Sequence, residues 1–243
     1  MEKLIRLFAV LGVVLALAPA AQAGIVVPTD GYTGPYRIVF CTLGSYDALL
    51  TNVADYNARV EAEAASTVGL TYDVSDITGW KIIGSTVGMN ARTNTGTTAT
   101  NGLAASGDVP IYNVLGERVA DGNAALWGTT LAPYNGIPPD YYVPNAESLL
   151  AVIALINGST AGGRTWSGTR TDGTTQTGNE LGTVVLTTQA YPTVAQADAR
   201  RKDAGWISWG GNGNPNTAAA NYRHYGLSPV VGGPTPGTMY YTK

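Results

Sequence analysis

The sequence predicts one domain of the mixed α and β class behind a short apolar leader. Residues 36–43 (YRIVFCTL) are rich in β-branched and aromatic side chains, which is typical of a central strand. Residues 53–65 follow Asn52, a favourable N-cap residue, and repeat apolar side chains at helical spacing. Shorter apolar runs alternate with Gly-, Asn- and Thr-rich stretches, so we expect further short strands joined by long loops.

Residues 1–23 have the three parts of a secretory signal peptide. Two basic residues lie near the start, an apolar run follows, and Ala-Gln-Ala precedes Gly24. The apolar run is shorter than the ~20 residues of a membrane-spanning helix, and no later segment is long enough. We therefore predict a secreted or cell-surface protein whose mature chain has no transmembrane segment.

The composition argues against a polyanionic partner and leaves two interpretations of the surface. The net charge is −3, so we predict no nucleic-acid partner. Charged residues make up 13% of the chain, against roughly 25% in ordinary soluble domains. A surface of hydroxyl, amide and Tyr side chains suits adhesion, sugar contact or lateral packing. It is equally the ordinary consequence of an exported protein's composition.

The remaining elements are predicted in chain order. Residues 36–231 form a single domain, which an exposed, Pro- and Gly-rich lead-in precedes (24–35) and a flexible tail follows (232–243). Within the domain we expect a strand at 79–87, a surface loop at 90–107, a hairpin at 111–120, a helix or a strand pair at 145–157, a short helix at 194–202 and a last strand at 222–231.

The stretch that follows the first hairpin strand has a structural interpretation. Gly116 supplies the positive φ of a tight turn. Asp121 is predicted to accept backbone amides at the start of the next turn, where Asn123 tolerates left-handed geometry and Trp127 points inward. Hydrogen bonds that cap turns account for every polar residue at these positions, so we favour this interpretation over a ligand site.

A tryptophan-rich segment near the C-terminus is the first choice for a ligand site. Trp206 and Trp209 lie in GWISWG, and either ring could stack on a sugar. The amides beside them would supply adaptable hydrogen bonds and belong to Asn212, Asn214 and Asn216. Core packing is the alternative for Trp206, since large aromatic side chains dominate small cores.

The residues do not favour catalysis, a cofactor or a metal. His224 is the only histidine, which rules out a multi-histidine metal site, and a structural role is its simpler interpretation. Cys41 is the only cysteine and lies in an apolar strand, so we expect a buried thiol. Asp172 before Gly173 is explained as a turn residue.

Several ordered blocks carry a resemblance to a known family. They are PIYN (110–113), VADGNAALW (119–127), TWSGTRTDGT (165–174), GWISWG (205–210) and YGLSPV (225–230). In this order the chain resembles bacterial surface proteins with a C-type-lectin-like, endostatin-like domain of the DUF1554 type, and it is similar to exosortase-sorted (PEP-CTERM) surface proteins. The resemblance implies an α+β fold with a small antiparallel sheet, two or three helices and long loops.

The chain departs from that family in three respects. One cysteine cannot form the disulfides common in C-type-lectin-like domains, the sorting tail is absent, and no Glu-Pro-Asn or Gln-Pro-Asp calcium triplet occurs. The nearest match, Asn214-Pro215-Asn216, lacks a carboxylate. The resemblance alone therefore does not imply calcium-dependent sugar binding. We predict a non-enzymatic binding or adhesion protein for a glycan or an extracellular protein. The alternative is a structural protein that assembles with copies of itself.

Overall fold

The structure of this protein is a computed structural model, and it has the α+β content that the sequence predicts. It describes residues 26–98, 108–127, 149–160, 162–183, 193–208, 216–217 and 221–232. The helices in these ranges are α1 (Val53–Ala65), α2 (Ala91–Asn94) and α3 (Asn123–Leu126), with a 3₁₀ turn at Ala204–Trp206. None of the described helices is both long and apolar enough to cross a bilayer.

The main sheet has five short strands. In chain order they are β1 (Arg37–Cys41), β2 (Lys81–Ile82), β3 (Ile111–Asn113), β4 (Arg118–Ala120) and β9 (Tyr225–Leu227), and their order across the sheet is β2-β9-β1-β3-β4. The β1–β3 pair is parallel and the other pairs are antiparallel. Two small antiparallel pairs lie outside this sheet: β5 (Arg164–Trp166) with β7 (Gln196–Asp198), and β6 (Thr193–Val194) with β8 (Asn216–Thr217).

Strand β1 is the centre of the fold because both of its faces are buried. All five of its residues are buried, which explains its continuous apolar run. Ile38 and Phe40 pack in one apolar cluster with Tyr56 of α1. Val39 and Cys41 point to the opposite face and pack in a second cluster. The sheet therefore separates two cores.

Helix α1 begins and packs as the sequence predicts, but its polar face is not simply solvated. The Asn52 side chain accepts a hydrogen bond from the Ala54 amide at 3.0 Å, which caps the helix. Glu61 accepts the Trp80 amide at 2.7 Å, and Glu63 accepts the Gly44 amide at 2.7 Å. The glutamates therefore tie loops to the helix.

Both edges of the main sheet are covered by other parts of the chain. At β2, the Ile82 amide donates to the side chain of Asn57 at 2.8 Å, and its carbonyl accepts from the side chain of Asn94 at 2.9 Å. The two Asn side chains also hydrogen-bond to each other. At β4, the Val119 carbonyl accepts the Leu150 amide at 2.9 Å. Side-chain amides and a loop thus satisfy backbone groups that edge strands ordinarily leave open.

Two segments for which the sequence allowed a helix are not helical where the structure describes them. Residues 149–157 are not helical, and the chain around Leu155 runs beside Cys41, whose amide donates to the Ala154 carbonyl at 2.9 Å. Residues 194–202 contain the end of β6 and all of β7 instead of a helix. In both segments, backbone hydrogen bonds to residues far away in the sequence override the local preference for a helix.

The lead-in is partly packed, whereas the sequence predicted an exposed segment. Val26 and Pro28 are buried, and the Thr29 amide donates to the Gly116 carbonyl at 2.9 Å. At the other end of the domain, Tyr36 and Val231 exchange backbone hydrogen bonds of 2.8 and 2.7 Å. The predicted tail lies outside the described residues beyond Gly232.

Candidate functional site

Trp206 does not belong to an exposed tryptophan rim. Its exposed fraction is 1%, and its ring centroid lies 6.0 Å from that of Trp127 and 5.8 Å from that of Tyr225. The Tyr225 hydroxyl also donates to the Trp206 carbonyl at 2.8 Å. The ring is part of the core, where three aromatic side chains share one apolar layer, and this is the core-packing alternative that the sequence left open for Trp206.

Most of the other predicted rim residues lie outside the described part of the chain. Trp209, Asn212 and Asn214 belong to this group. Asn216 forms β8 with Thr217, and β8 pairs with β6 in an antiparallel ladder. A ligand site around Trp209 therefore stays a prediction.

The hairpin between β3 and β4 turns at Gly116. This residue has φ +79°, and its amide donates to the Asn113 carbonyl at 3.0 Å. A Cβ at this position would lie 2.1 Å from the carbonyl oxygen of Val27. Glycine is therefore required both for the backbone conformation and for the close approach of the lead-in.

The start of α3 differs from the prediction in two details. Gly122, not Asp121, occupies the N-cap position, and the carboxylate that accepts the Asn123 amide, at 2.7 Å, belongs to Asp108. Asn123 is the first residue of the helix, so it does not take the left-handed conformation. Asp121 instead accepts a hydrogen bond from Arg118 at 3.0 Å.

Trp127, Asp172 and Gly173 form one structural unit. The Trp127 indole is 1% exposed and donates to both the carbonyl and the hydroxyl oxygen of Thr97 at 2.9 Å. Asp172 accepts the Thr174 amide at 2.9 Å, closing a turn in which Gly173 has φ +80°. A Cβ on Gly173 would lie 2.7 Å from the Trp127 ring. The turn therefore packs directly on the indole.

The structure brings together a surface group that the sequence did not indicate, which we call the tyrosine–arginine patch: Asp30, Tyr32, Tyr112, Arg118 and Asp121. Arg118 donates to Asp30 at 2.7 Å and to Asp121 at 3.0 Å. Its guanidinium lies 5.5 Å from the centroid of Tyr32 and 5.4 Å from that of Tyr112. The side chains of Arg118, Asp30 and Asp121 are 29%, 35% and 67% exposed. The charged side chains of the patch thus face solvent, while the ring of Tyr112 beside them is buried.

Backbone geometry places these side chains side by side. Tyr112 and Arg118 are partners across the β3–β4 hairpin, so they share one face of the sheet. Asp30 accepts the Tyr32 amide at 3.0 Å in a local turn. The Tyr112 hydroxyl donates to Asp30 at 3.1 Å, which links the turn to the sheet.

The electrostatics of the patch favour its charged form. Desolvation opposes ionisation of Asp30, but hydrogen bonds from the Tyr32 amide, Arg118 and Tyr112 outweigh it and lower the pKa of the carboxyl. Hydrogen bonds to Asp121 and Asp30 raise the pKa of Arg118. Burial, together with the hydrogen bond to Asp30, raises the pKa of Tyr112 to about 12. The patch therefore keeps the Asp30 carboxylate beside the Arg118 guanidinium at neutral pH.

His224 is fully buried in an aromatic layer. Its ring stacks on Tyr46 at 5.2 Å with an interplanar angle of 6°, and it meets the edge of Tyr56 at 5.4 Å. Neither ring nitrogen has a hydrogen-bond partner among the residues that the structure describes. Burial, with a smaller effect of the nearby Arg59, lowers the pKa of His224 to about 3. This arrangement lacks the partners that a base in a catalytic relay needs.

The other chemically reactive groups are also enclosed. Cys41 is fully buried, and burial raises the pKa of its thiol. Within the described ranges, no three His, Cys, Asp or Glu side chains are grouped to hold a metal ion.

No family model matches this chain, and no curated protein matches it either. The functional interpretation therefore depends on the residues themselves. The sequence could have indicated the Tyr112–Arg118 pair, since both flank the Gly116 turn. It carried no signal for Asp30, which lies 88 residues from Arg118.

Proposed function

We propose that this protein is a secreted or cell-surface binding and adhesion protein that recognises a glycan or an extracellular protein, without catalysis. The observation that carries the proposal is the tyrosine–arginine patch. It presents an aromatic side chain, a guanidinium and two carboxylates to solvent within one group of mutual contacts. The predicted signal peptide supports the location.

The chemistry of the patch suits recognition of a polar surface. A Tyr ring offers an apolar face to a sugar ring or a side chain, while carboxylates accept hydroxyl and amide donors. Arg and Tyr are the residue types enriched where binding energy concentrates. Since Arg118 is held by Asp30, Asp121 and two aromatic rings, little conformational entropy is lost when a ligand binds.

We also propose, as the finer fold assignment, that the domain is C-type-lectin-like and of the DUF1554 type. The pairing of the first strand with the last one, Val39 opposite Leu227, supports this assignment. The small, mostly antiparallel sheet and the three described helices are compatible with it.

Assembly of the protein with copies of itself is the second candidate. Exposed apolar side chains favour it, among them Val27 and Val68, which are 74% and 72% exposed. The covered edges of the main sheet weigh against assembly by strand pairing, because Asn57 and Asn94 already satisfy Ile82 at β2. We therefore rank binding above self-assembly.

A glycan and matrix-protein array tests the proposal with the chain that begins at Gly24. Tyr32→Ala and Asp121→Ala are each expected to weaken the binding of any captured ligand by about tenfold or more, which is equivalent to ~1.4 kcal/mol of binding free energy. Asp76→Ala changes another exposed carboxylate and is the matched control, expected to bind as the unmodified chain does. Circular dichroism verifies that each variant folds.

Two other outcomes would redirect the interpretation. If Trp209→Ala alone abolishes binding, the ligand site is the predicted rim and the tyrosine–arginine patch is structural. If light scattering shows concentration-dependent growth into large assemblies and the array captures nothing, the principal partner is another copy of the chain.

A further inference from the structure

Arg37, the first residue of β1, carries a guanidinium buried beside the end of α2. Its exposed fraction is only 9%. One terminal nitrogen, Nη1, donates to the carbonyl oxygens of Thr95 at 2.9 Å and Ser228 at 3.2 Å. Two carbonyl groups from different parts of the chain therefore fix the orientation of the guanidinium.

No carboxylate balances this buried charge among the described residues. The ion pairs found there engage other arginines, and Nε of Arg37 is buried without an acceptor. Burial lowers the pKa of Arg37 accordingly. Buried charges in proteins are ordinarily paired, because removing an unpaired charge from water is costly.

The edge of the guanidinium that lacks an acceptor is the one suited to an oxyanion. In a guanidinium group, Nε and Nη2 point in parallel and can donate to two oxygens of one carboxylate or sulfate. Nε of Arg37 is enclosed, so the nitrogen that an entering oxyanion meets is Nη2. Two other arginines of this chain use that edge for a carboxylate: Arg200 binds Asp198 and Arg201 binds Asp203 through these nitrogens. Arg37 presents the same edge without such a partner.

Gly96 lies beside Nη2, the nitrogen of this edge that is not enclosed. The residue is exposed and has φ +66°. A Cβ added to Gly96 would meet one heavy atom within 4 Å, Nη2 of Arg37 at 3.8 Å. An oxygen hydrogen-bonded to Nη2 lies about 2.8 Å from it, so the space that glycine leaves can admit an anion.

A second cation lies four residues earlier on the same segment. Arg92 of α2 has a long hydrogen bond of 3.5 Å to the carbonyl oxygen of Asp172, and none of the described ion pairs includes it. Arg92 therefore adds a second guanidinium group to this segment of the chain.

We propose that Arg37 and the opening at Gly96 form a binding site for an oxyanion, the carboxylate or sulfate group of an acidic sugar. The site goes beyond the function proposed above, because it lies on the other face of the sheet from the tyrosine–arginine patch. Arg37 is aligned with Ile111 in the β1–β3 register, whereas Arg118 is aligned with Tyr112, the next residue of β3.

Nuclear magnetic resonance of the arginine Nε–H groups tests the site directly. The ¹⁵N-labelled chain is titrated at constant ionic strength with glucuronate, glucose 6-sulfate and, as the neutral control, glucose. We expect a saturable shift of the Arg37 Nε–H resonance with at least one of the two acidic sugars, with a dissociation constant on the order of 1 mM, and none with glucose. The sugar that binds more tightly identifies the preferred oxyanion.

Two glycine variants separate anion binding from general changes in stability. Gly96→Ala places a methyl group in the opening and is expected to weaken binding by about tenfold. Gly178→Ala is the matched control, because Gly178 has φ +85° and nothing within 4 Å of its added Cβ, so it carries the same backbone strain. The proposal is overturned if neither acidic sugar gives a saturable shift, or if Gly96→Ala binds as tightly as Gly178→Ala. Tyr32→Ala leaves this titration unchanged, so the two sites are tested independently.

Discussion

Replacing His224 with phenylalanine is expected to stabilise the protein and to remove most of its pH dependence near neutrality. The imidazole is fully buried, and its two nitrogens have no hydrogen-bond partner among the described residues. Leaving a buried polar group unsatisfied costs roughly 1–3 kcal/mol, and phenylalanine keeps an aromatic ring between Tyr46 and Tyr56 without that cost. We expect His224→Phe to raise the free energy of unfolding at pH 8 by about 1–2 kcal/mol.

The pH dependence follows from the direction of the pKa shift. The pKa of His224 is about 3 in the folded chain and 6.5 in the reference state. Between these pH values the unfolded chain binds a proton on His224 that the folded chain does not. The contribution of His224 to the free energy of unfolding is therefore fully present above pH 6.5 and falls as the pH drops toward 3. Between pH 7 and pH 5 the loss is about 2 kcal/mol, since each pKa unit corresponds to roughly 1.4 kcal/mol.

Urea unfolding followed by circular dichroism at pH 5, 6, 7 and 8 measures this effect. His224 is the only histidine, so no other histidine contributes to the slope. The free energy of unfolding of His224→Phe should be nearly constant over this range. Tyr56→Phe is the control, because it changes the same aromatic layer but keeps the imidazole, so the free energy of unfolding should still depend on pH. A flat profile for the unmodified chain would refute the reasoning, as would a slope that survives in His224→Phe.

Four further predictions concern packing and backbone geometry. Asn52→Ala removes the N-cap of α1 and should lower the free energy of unfolding by about 1 kcal/mol, measured by urea titration. Trp206→Ala leaves a cavity in the aromatic layer and should lower the free energy of unfolding by about 3–5 kcal/mol in the same assay, whereas removal of an exposed ring would lower it little. Gly173→Ala should lower the thermal midpoint, because φ is +80° and the methyl group would strike Trp127; an unchanged midpoint would contradict this close packing. Asn57→Ala uncovers the β2 edge and should increase aggregation measured by light scattering, and no increase would mean that the edge is protected in another way.

The elements that the sequence predicted correctly are those with a local cause. Strand β1 is buried on both faces, so its apolar run is continuous. Helix α1 has an N-cap and a four-residue spacing of buried side chains, and both are visible in the sequence. The turn at Gly116 likewise depends on one residue with positive φ.

The wrong predictions have non-local causes. Residues 194–202 contain several alanines and resemble a helix, but Gln196–Asp198 pairs with Arg164–Trp166, more than 25 residues earlier. For Trp206 the sequence left a core position and a ligand site open, because tryptophan serves both, and the positions of Trp127 and Tyr225 place its ring in the core. Local pattern cannot supply those positions.

The candidate sites were the least predictable part of the chain. Asp30 and Arg118 meet across 88 residues, and Arg37 meets Thr95 and Ser228 across 58 and 191 residues. Each residue is ordinary in its own segment. The chemistry arises from the sheet, which brings the lead-in, the hairpin and the last strand together.

The antiparallel pairing of β1 with β9 determines how the domain responds to a mechanical load. Tyr36 and Val231 lie side by side at the outer end of this ladder, followed by the pairs Val39–Leu227 and Cys41–Tyr225. A force that pulls these two ends apart opens the hydrogen bonds one pair at a time, each worth about 1 kcal/mol, instead of shearing the whole ladder at once. Once the lead-in is released from Gly116, the β1–β9 ladder therefore unzips under tension from the Tyr36–Val231 end.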